Sequence, residues 1–168
     1  MMKSSFLIRS FLLVLISILA CSCQSNQATK SDSAGLSNQD SATLAYELAS
    51  QRWCTNDQAC AMMLLLVDDQ DNNKSFDARL AALQSKGLVE PGWFLAANDP
   101  VNKGTLGYML YRALDLEGGV IIQLLPLRRY GYREVVHAGL MLRGSEYEPL
   151  TGPEVVGIMG RAARLMER

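Results

Sequence analysis

The sequence predicts an all-α domain built from three helix-pair repeats, running from about residue 41 to the end of the 168-residue chain. Three observations carry this. From residue 40 onward, apolar side chains recur at helical spacing in one segment after another. The stretch 100–114 aligns without a gap to 149–163, which is the signature of an internal repeat. Prolines 91, 100, 126, 149 and 153 fall in the expected loops or at helix starts, where the missing N–H costs least.

Residues 1–20 stand apart from that domain. Lys3 and Arg9 give a basic start, the run from Phe11 to Ala20 is apolar, and Ala20 is followed directly by Cys21. Arg9 interrupts the apolar stretch, which falls short of the ~20 residues a membrane span needs. Ile18-Leu19-Ala20-Cys21 resembles the signal of bacterial lipoproteins, with Leu19 where that family more often has a small residue. The resemblance implies cleavage before Cys21, diacylglycerol on its sulfur and an acyl chain on the new amino terminus, so the partner it names is a membrane. Several acyl chains hold a protein where one is marginal. Ser22, in the position where Asp directs retention at the inner membrane, points to the periplasmic face of the outer membrane. Residues 21–40, SCQSNQATKSDSAGLSNQD after Cys21, are too polar to bury a core. They read as a leash of roughly 25 Å mean reach.

The helices follow in order. One over 42–51 places Leu44, Ala45, Leu48 and Ala49 on one face, behind Ser41 as a cap. The segment 55–67 is almost wholly apolar, which predicts deep burial. A helix over 75–86 carries Phe76, Leu80 and Leu83 and stops at Gly87. One over 102–116 carries Leu106, Met109, Leu110 and Ala113, and stops near Gly118-Gly119. The β-branched stretch 120–127 does not declare its type. Helices over 128–138 and 151–166 complete the domain. Asn102 and Thr151 suit the N-cap role of the helices they precede.

In the repeat, Leu106 aligns with Val155, Met109 with Ile158, Leu110 with Met159, Arg112 with Arg161 and Ala113 with Ala162. A weaker copy has Thr55, Ala59, Met62 and Met63 at the positions of Asn102, Leu106, Met109 and Leu110. The copies span about 41–67, 75–116 and 128–167. Their order, a short helix, a Gly turn, a loop, a proline, a polar cap and a longer helix with Arg-Ala, resembles the S-layer homology domain. The resemblance implies a pseudo-threefold prism of three helical repeats that binds cell-wall polymers. The family's Thr-Arg-Ala-Glu appears as Asn102-Lys103-Gly104-Thr105 and Thr151-Gly152-Pro153-Glu154, and as Thr55-Asn56-Asp57-Gln58 in the first copy. Its ligand-contacting Arg position therefore holds a cation only at Lys103.

Composition bounds function. Without Lys3 and Arg9 the basic count falls from 16 to 14 against 17 acidic side chains, which argues against a nucleic-acid partner. The sign is uneven: from Arg128 onward there are seven basic and five acidic residues. That basic C-terminal third suits an anionic wall polymer. On this reading Lys103 supplies charge and Trp93 a stacking face, while Trp93 and Phe94 also suit packing of their loop onto the core. Arg112 and Arg161, late on their helices, read as structural groups near the negative helix end.

Of the four cysteines, Cys21 is assigned to lipid and Cys23 to the leash. Six residues apart in one helix, Cys54 and Cys60 would be separated by about 9 Å, beyond disulfide reach. Cys54 falls just before the helix, so a bridge stays open in an oxidising compartment. His137, the single histidine, offers no zinc-ligand spacing and reads as structural. Asp69 to Asp77 alternates oxygen ligands like a calcium loop, but Lys74 replaces the required Gly and Leu80 the bidentate Glu. It reads as an inter-helix turn. No nucleophile elbow, phosphate loop or His-based triad occurs. The sequence predicts a non-catalytic envelope lipoprotein without metal or cofactor, holding peptidoglycan or a linked polymer. Its alternative is a membrane-tethered module for an envelope protein.

Overall fold

The computed structural model describes residues 32–125 and 127–167. The leader, Cys21, Cys23 and the first ten positions of the expected leash lie outside the described residues. Among the described residues all regular structure is helical: α1 (Asp32–Ala49), α2 (Asn56–Asp68), α3 (Phe76–Ser85), α4 (Lys103–Ala113), α5 (Val120–Leu124), α6 (Arg128–His137) and α7 (Gly152–Met166). The all-α expectation is met. Two boundaries move by more than two residues: α4 ends at Ala113 rather than 116, and α1 begins at Asp32, ten residues before the expected start, so a helix occupies 32–40 where a polar leash was read. The undeclared stretch after Gly119 is the five-residue helix α5.

Local chemistry explains the helix starts. Thr55 accepts from the N–H of Gln58, whose side chain accepts from the Thr55 N–H in return. Thr151 and Glu154 repeat this reciprocal box at α7, and Asn102 accepts from Thr105 N–H at 2.8 Å before α4. Each bond satisfies an amide that the helix leaves without a partner. The short helices end alike. Gly87 (φ 68°) and Gly139 (φ 76°) take the left-handed turn, and the next N–H reaches back, Leu88 to Leu83 O and Leu140 to Val135 O. Arg112 donates to Gly87 O at 3.1 Å and Arg161 to Leu140 O at 2.9 Å, so each arginine ties its long helix to the turn upstream.

The packed pairs are not the pairs of the sequence repeat. The most extensive contact joins α4 to α6, and α2 packs on α3, so a long helix meets the short helix of the following copy. Gly107 and Gly131 permit the α4–α6 approach: a Cβ on Gly107 would lie 2.8 Å from Tyr132 Cα, and one on Gly131 would lie 3.0 Å from Tyr108 Cα. The largely apolar α2 is deeply enclosed, burying Ala59, Cys60, Met62, Met63 and Leu64 together.

Three residues, each just before an N-cap, meet in the core. Cys54 N–H donates to Leu150 O (3.0 Å), Leu150 N–H to Val101 O (2.9 Å) and Val101 N–H to Cys54 O (2.8 Å). The ring runs one way through all three residues, and each member is at most 1 % exposed. Around it, first-turn amides bond carbonyls from the next copy's loop: Asn56 to Asp99 O, Asp57 to Ala97 O, Lys103 to Glu148 O and Gly104 to Glu146 O. Gly152 N–H bonds Gln51 O, and a Cβ on Gly152 would sit 1.8 Å from Leu48 O.

Candidate functional site

That interlock decides the fate of the position at which the sequence places its ligand cation. Asn56, Lys103 and Gly152 all stand first in their long helices, and all three are buried. The Lys103 side chain is 6 % exposed, and its Nζ lies 2.6 Å from Glu148 Oε2. The hydrogen bond from Lys103 holds the half-exposed Glu148 carboxyl below its ordinary pKa. Lys103 is therefore paired with Glu148, at the border of a small cleft of about 190 Å³ that Met141, Pro153 and Arg161 also line. Periodicity shows where a residue falls on its own helix, but not that another copy's loop covers it.

Trp93 is half-buried and packs edge-on against Tyr108 at 5.2 Å between ring centroids. Its other contact is the Arg128 guanidinium, 4.7 Å from the ring centroid, an attraction of positive charge for the aromatic face. Arg128 also donates to Thr105 Oγ1. The stacking face expected to serve a ligand is thus engaged by Arg128, and Trp93 and Lys103 do not form one pocket. Phe94 departs from the packing expectation: it is fully exposed. Tyr108, buried and donating to Glu90, has its pKa raised to about 12, burial being the larger cause.

Cys54 and Cys60 are both buried and unbridged. Burial pushes each thiol up to about 12, so neither is a ready nucleophile. The Asp-rich turn is used for ion pairing. Arg79 bonds Asp71 and, at 2.7 Å, Asp57, while Asn73 N–H bonds Asp71 Oδ1. Burial opposes the charge on Arg79, but the bonds to Asp71 and Asp57 outweigh it and raise its pKa. Asp68 pairs with Lys86. Among the described residues no three His, Cys, Asp or Glu side chains gather where a metal would sit. His137, read as structural, is exposed at the end of α6.

The substantial open space lies beside α6. A cleft of about 1050 Å³ runs between that helix and the loop 143–147. Arg129, Arg133 and His137 line it from α6, and Arg143, Ser145 and Tyr147 from the loop. Arg129 and Arg133 are one helical turn apart, which puts both on one face. The loop is pinned from behind. Tyr132 Oη donates to the carbonyls of Leu142 (3.1 Å) and Gly144 (3.2 Å), Gly104 N–H to Glu146 O and Lys103 N–H to Glu148 O. Every second carbonyl thus bonds inward, while Arg143, Ser145 and Tyr147 line the cleft. A Cβ on Gly144 would meet the ends of the paired side chains, Glu148 Oε2 at 2.3 Å and Lys103 Nζ at 2.7 Å.

Arg129, Arg133 and Arg143 make no ion pair with the described residues, although Glu134 and Glu146 also border the cleft. Unpaired guanidiniums on facing walls suit carboxylate or phosphate groups, which they bind through two parallel N–H donors. Lys103 belongs to the site indirectly, by holding the loop that carries Arg143. The visible sequence signal is Arg128-Arg129-Tyr130-Gly131-Tyr132-Arg133 within the basic C-terminal third. What the sequence does not disclose is that Arg143 faces it. The chain gives no match to a protein-family model, a curated protein or a solved structure.

Proposed function

We propose that the protein is a non-catalytic cell-envelope lipoprotein, anchored through lipid on Cys21, whose helical domain binds an anionic wall polymer in the α6 cleft. The carrying observation is the cleft itself, with Arg129 and Arg133 on one wall and Arg143 on the other, none in an ion pair with an acidic side chain among the described residues. The reading further takes the three copies as a degenerate S-layer homology-like prism. The one-way ring through Cys54, Val101 and Leu150 supports it, because three equivalent positions are joined by equivalent bonds. Binding is moved from the first turn of the long helices to the outer face of α6, because loop carbonyls occupy those first-turn amides.

The test is retention of the purified full chain on cell-wall sacculi. Arg133→Ala and Arg143→Ala are each expected to weaken retention about tenfold, as for a lost charge-assisted contact. Added salt weakens it further. Retention unchanged in the double variant overturns the reading. Absence of retention with wild type, together with stoichiometric recovery of one envelope protein, supports the interaction module instead.

A further inference from the structure

A second surface lies immediately before α6. α5 is held in place by Ile122, which is buried, and by Gly119 N–H, which bonds Glu134 on α6. With Ile122 turned inward, the neighbouring apolar residues face solvent: Ile121 is 56 % exposed, Leu124 74 %, Leu125 53 % and Leu127 53 %. Four large apolar side chains exposed within seven positions are a concentration of the kind that marks a contact surface. Contact between Arg128 and Trp93 brings a second loop to the start of α6, and that loop carries the fully exposed Phe94.

Charge identifies the occupant. From Gly118 to Arg133 the chain has three arginines and no carboxylate. Apolar side chains followed at once by two exposed arginines, Arg128 beside Trp93 and Arg129 at the edge of the cleft, match a bilayer interface, where the apolar groups enter the acyl boundary and guanidiniums stay at the level of anionic headgroups. A second copy is a poorer fit. A two-fold contact would set the cationic stretch against itself, and like charges without acidic partners repel. No helix among the described residues is long and apolar enough to cross a membrane, so this surface lies on the bilayer.

We propose that Ile121, Leu124, Leu125 and Leu127, with Arg128 and Arg129, dock the domain onto a phospholipid surface bearing anionic headgroups. The inference rests on the proposed Cys21 anchor for bringing the patch within reach, and it adds a second, orienting contact. One acyl-anchored point leaves a domain free to rotate. A second contact defines which face, and so which way the α6 cleft, is turned relative to the membrane.

The experiment uses the full chain reconstituted into phosphatidylethanolamine–phosphatidylglycerol vesicles containing brominated lipid. The reporters are Leu124→Trp on the patch and Tyr46→Trp on α1, an exposed position, each read against the two native tryptophans. Quenching at position 124 is expected to exceed that at 46 by at least roughly twofold. It should fall when the vesicles are phosphatidylcholine alone, since each arginine near an anionic surface contributes about a fivefold gain in binding. Adding Ile121→Ser and Leu125→Ser to the Leu124→Trp chain should remove the difference. Flotation of the chain with equal quenching at both positions overturns docking and leaves the anchor standing. Absence of flotation overturns both. A concentration-dependent shift of position 124 emission without lipid assigns the patch to a second copy and also overturns docking.

Discussion

Lys103 shows how burial redirects a side chain's role. Its charge is neutralised by Glu148, and the asymmetry of the pair predicts unequal effects. Lys103→Met leaves an exposed carboxylate that water can solvate, whereas Glu148→Gln strands a buried cation, the costlier outcome. Chemical denaturation should therefore rank Glu148→Gln below Lys103→Met in stability. The pH dependence has a definite sign. Glu148 has a folded-state pKa below its ordinary 4.5, so its contribution is complete above that value. It is lost as pH falls through the lower folded value. Glu148→Gln should flatten this acid limb relative to wild type, and an unchanged limb would contradict the pairing. The two buried thiols give a second prediction at this scale. Cys54 and Cys60 should resist thiol reagents in the native protein at mildly alkaline pH, and unfolding should release two further reactive groups.

At the level of elements, glycine positions separate close packing from open space. Gly107→Ala forces a Cβ onto the Tyr132 backbone and should cost about 1–3 kcal/mol. Gly152→Ala, aimed at Leu48 O, should be worse. Gly157 and Gly160 lie on the same helix as Gly152, but an added Cβ there meets only arginine tips, at 3.6 and 3.8 Å. Gly157→Ala and Gly160→Ala should each stabilise by roughly 0.5–1 kcal/mol through helix propensity. Thermal melts of the four variants check the pattern. The element boundaries were largely legible, because Thr55, Ser75, Asn102 and Thr151 are caps whose chemistry is local. Arg112 and Arg161 were read as structural groups at their own helix ends, but their bonds to Gly87 O and Leu140 O, 25 and 21 residues upstream, are non-local and were not legible. α1 was misjudged because six of its first nine residues are polar, and composition there speaks against burial without forbidding a helix.

Across the whole molecule, the likeness of two segments was readable in the sequence but their contact was not. Gapless alignment of 100–114 with 149–163 reports that two segments are alike, not that Val101 and Leu150 touch. The hydrogen-bonded ring supplies that contact, and the same closure buries Lys103 and shapes the cleft wall. Leu150→Ala should cost about 2–5 kcal/mol, as for a fully buried leucine. Val101→Pro removes the N–H that bonds Cys54 O and should lower stability while leaving the isolated caps intact. Denaturant titration with a helical and a tertiary probe distinguishes this loss from local fraying. The cleft escaped the sequence for the same non-local reason. Arg133 and Arg143 are ten residues apart with a Gly turn between them, and the Tyr132 bonds to Leu142 and Gly144 carbonyls, with the Lys103 and Gly104 amides behind the loop, bring their segments face to face. The most direct test of the central claim is equilibrium binding of a soluble anionic wall fragment to full-length wild type, to Arg133→Glu/Arg143→Glu, and to Arg164→Glu on the exposed part of α7. Loss of binding in the cleft variant, with Arg164→Glu close to wild type, is the predicted result. Equal affinity in the wild type and the cleft variant would contradict it.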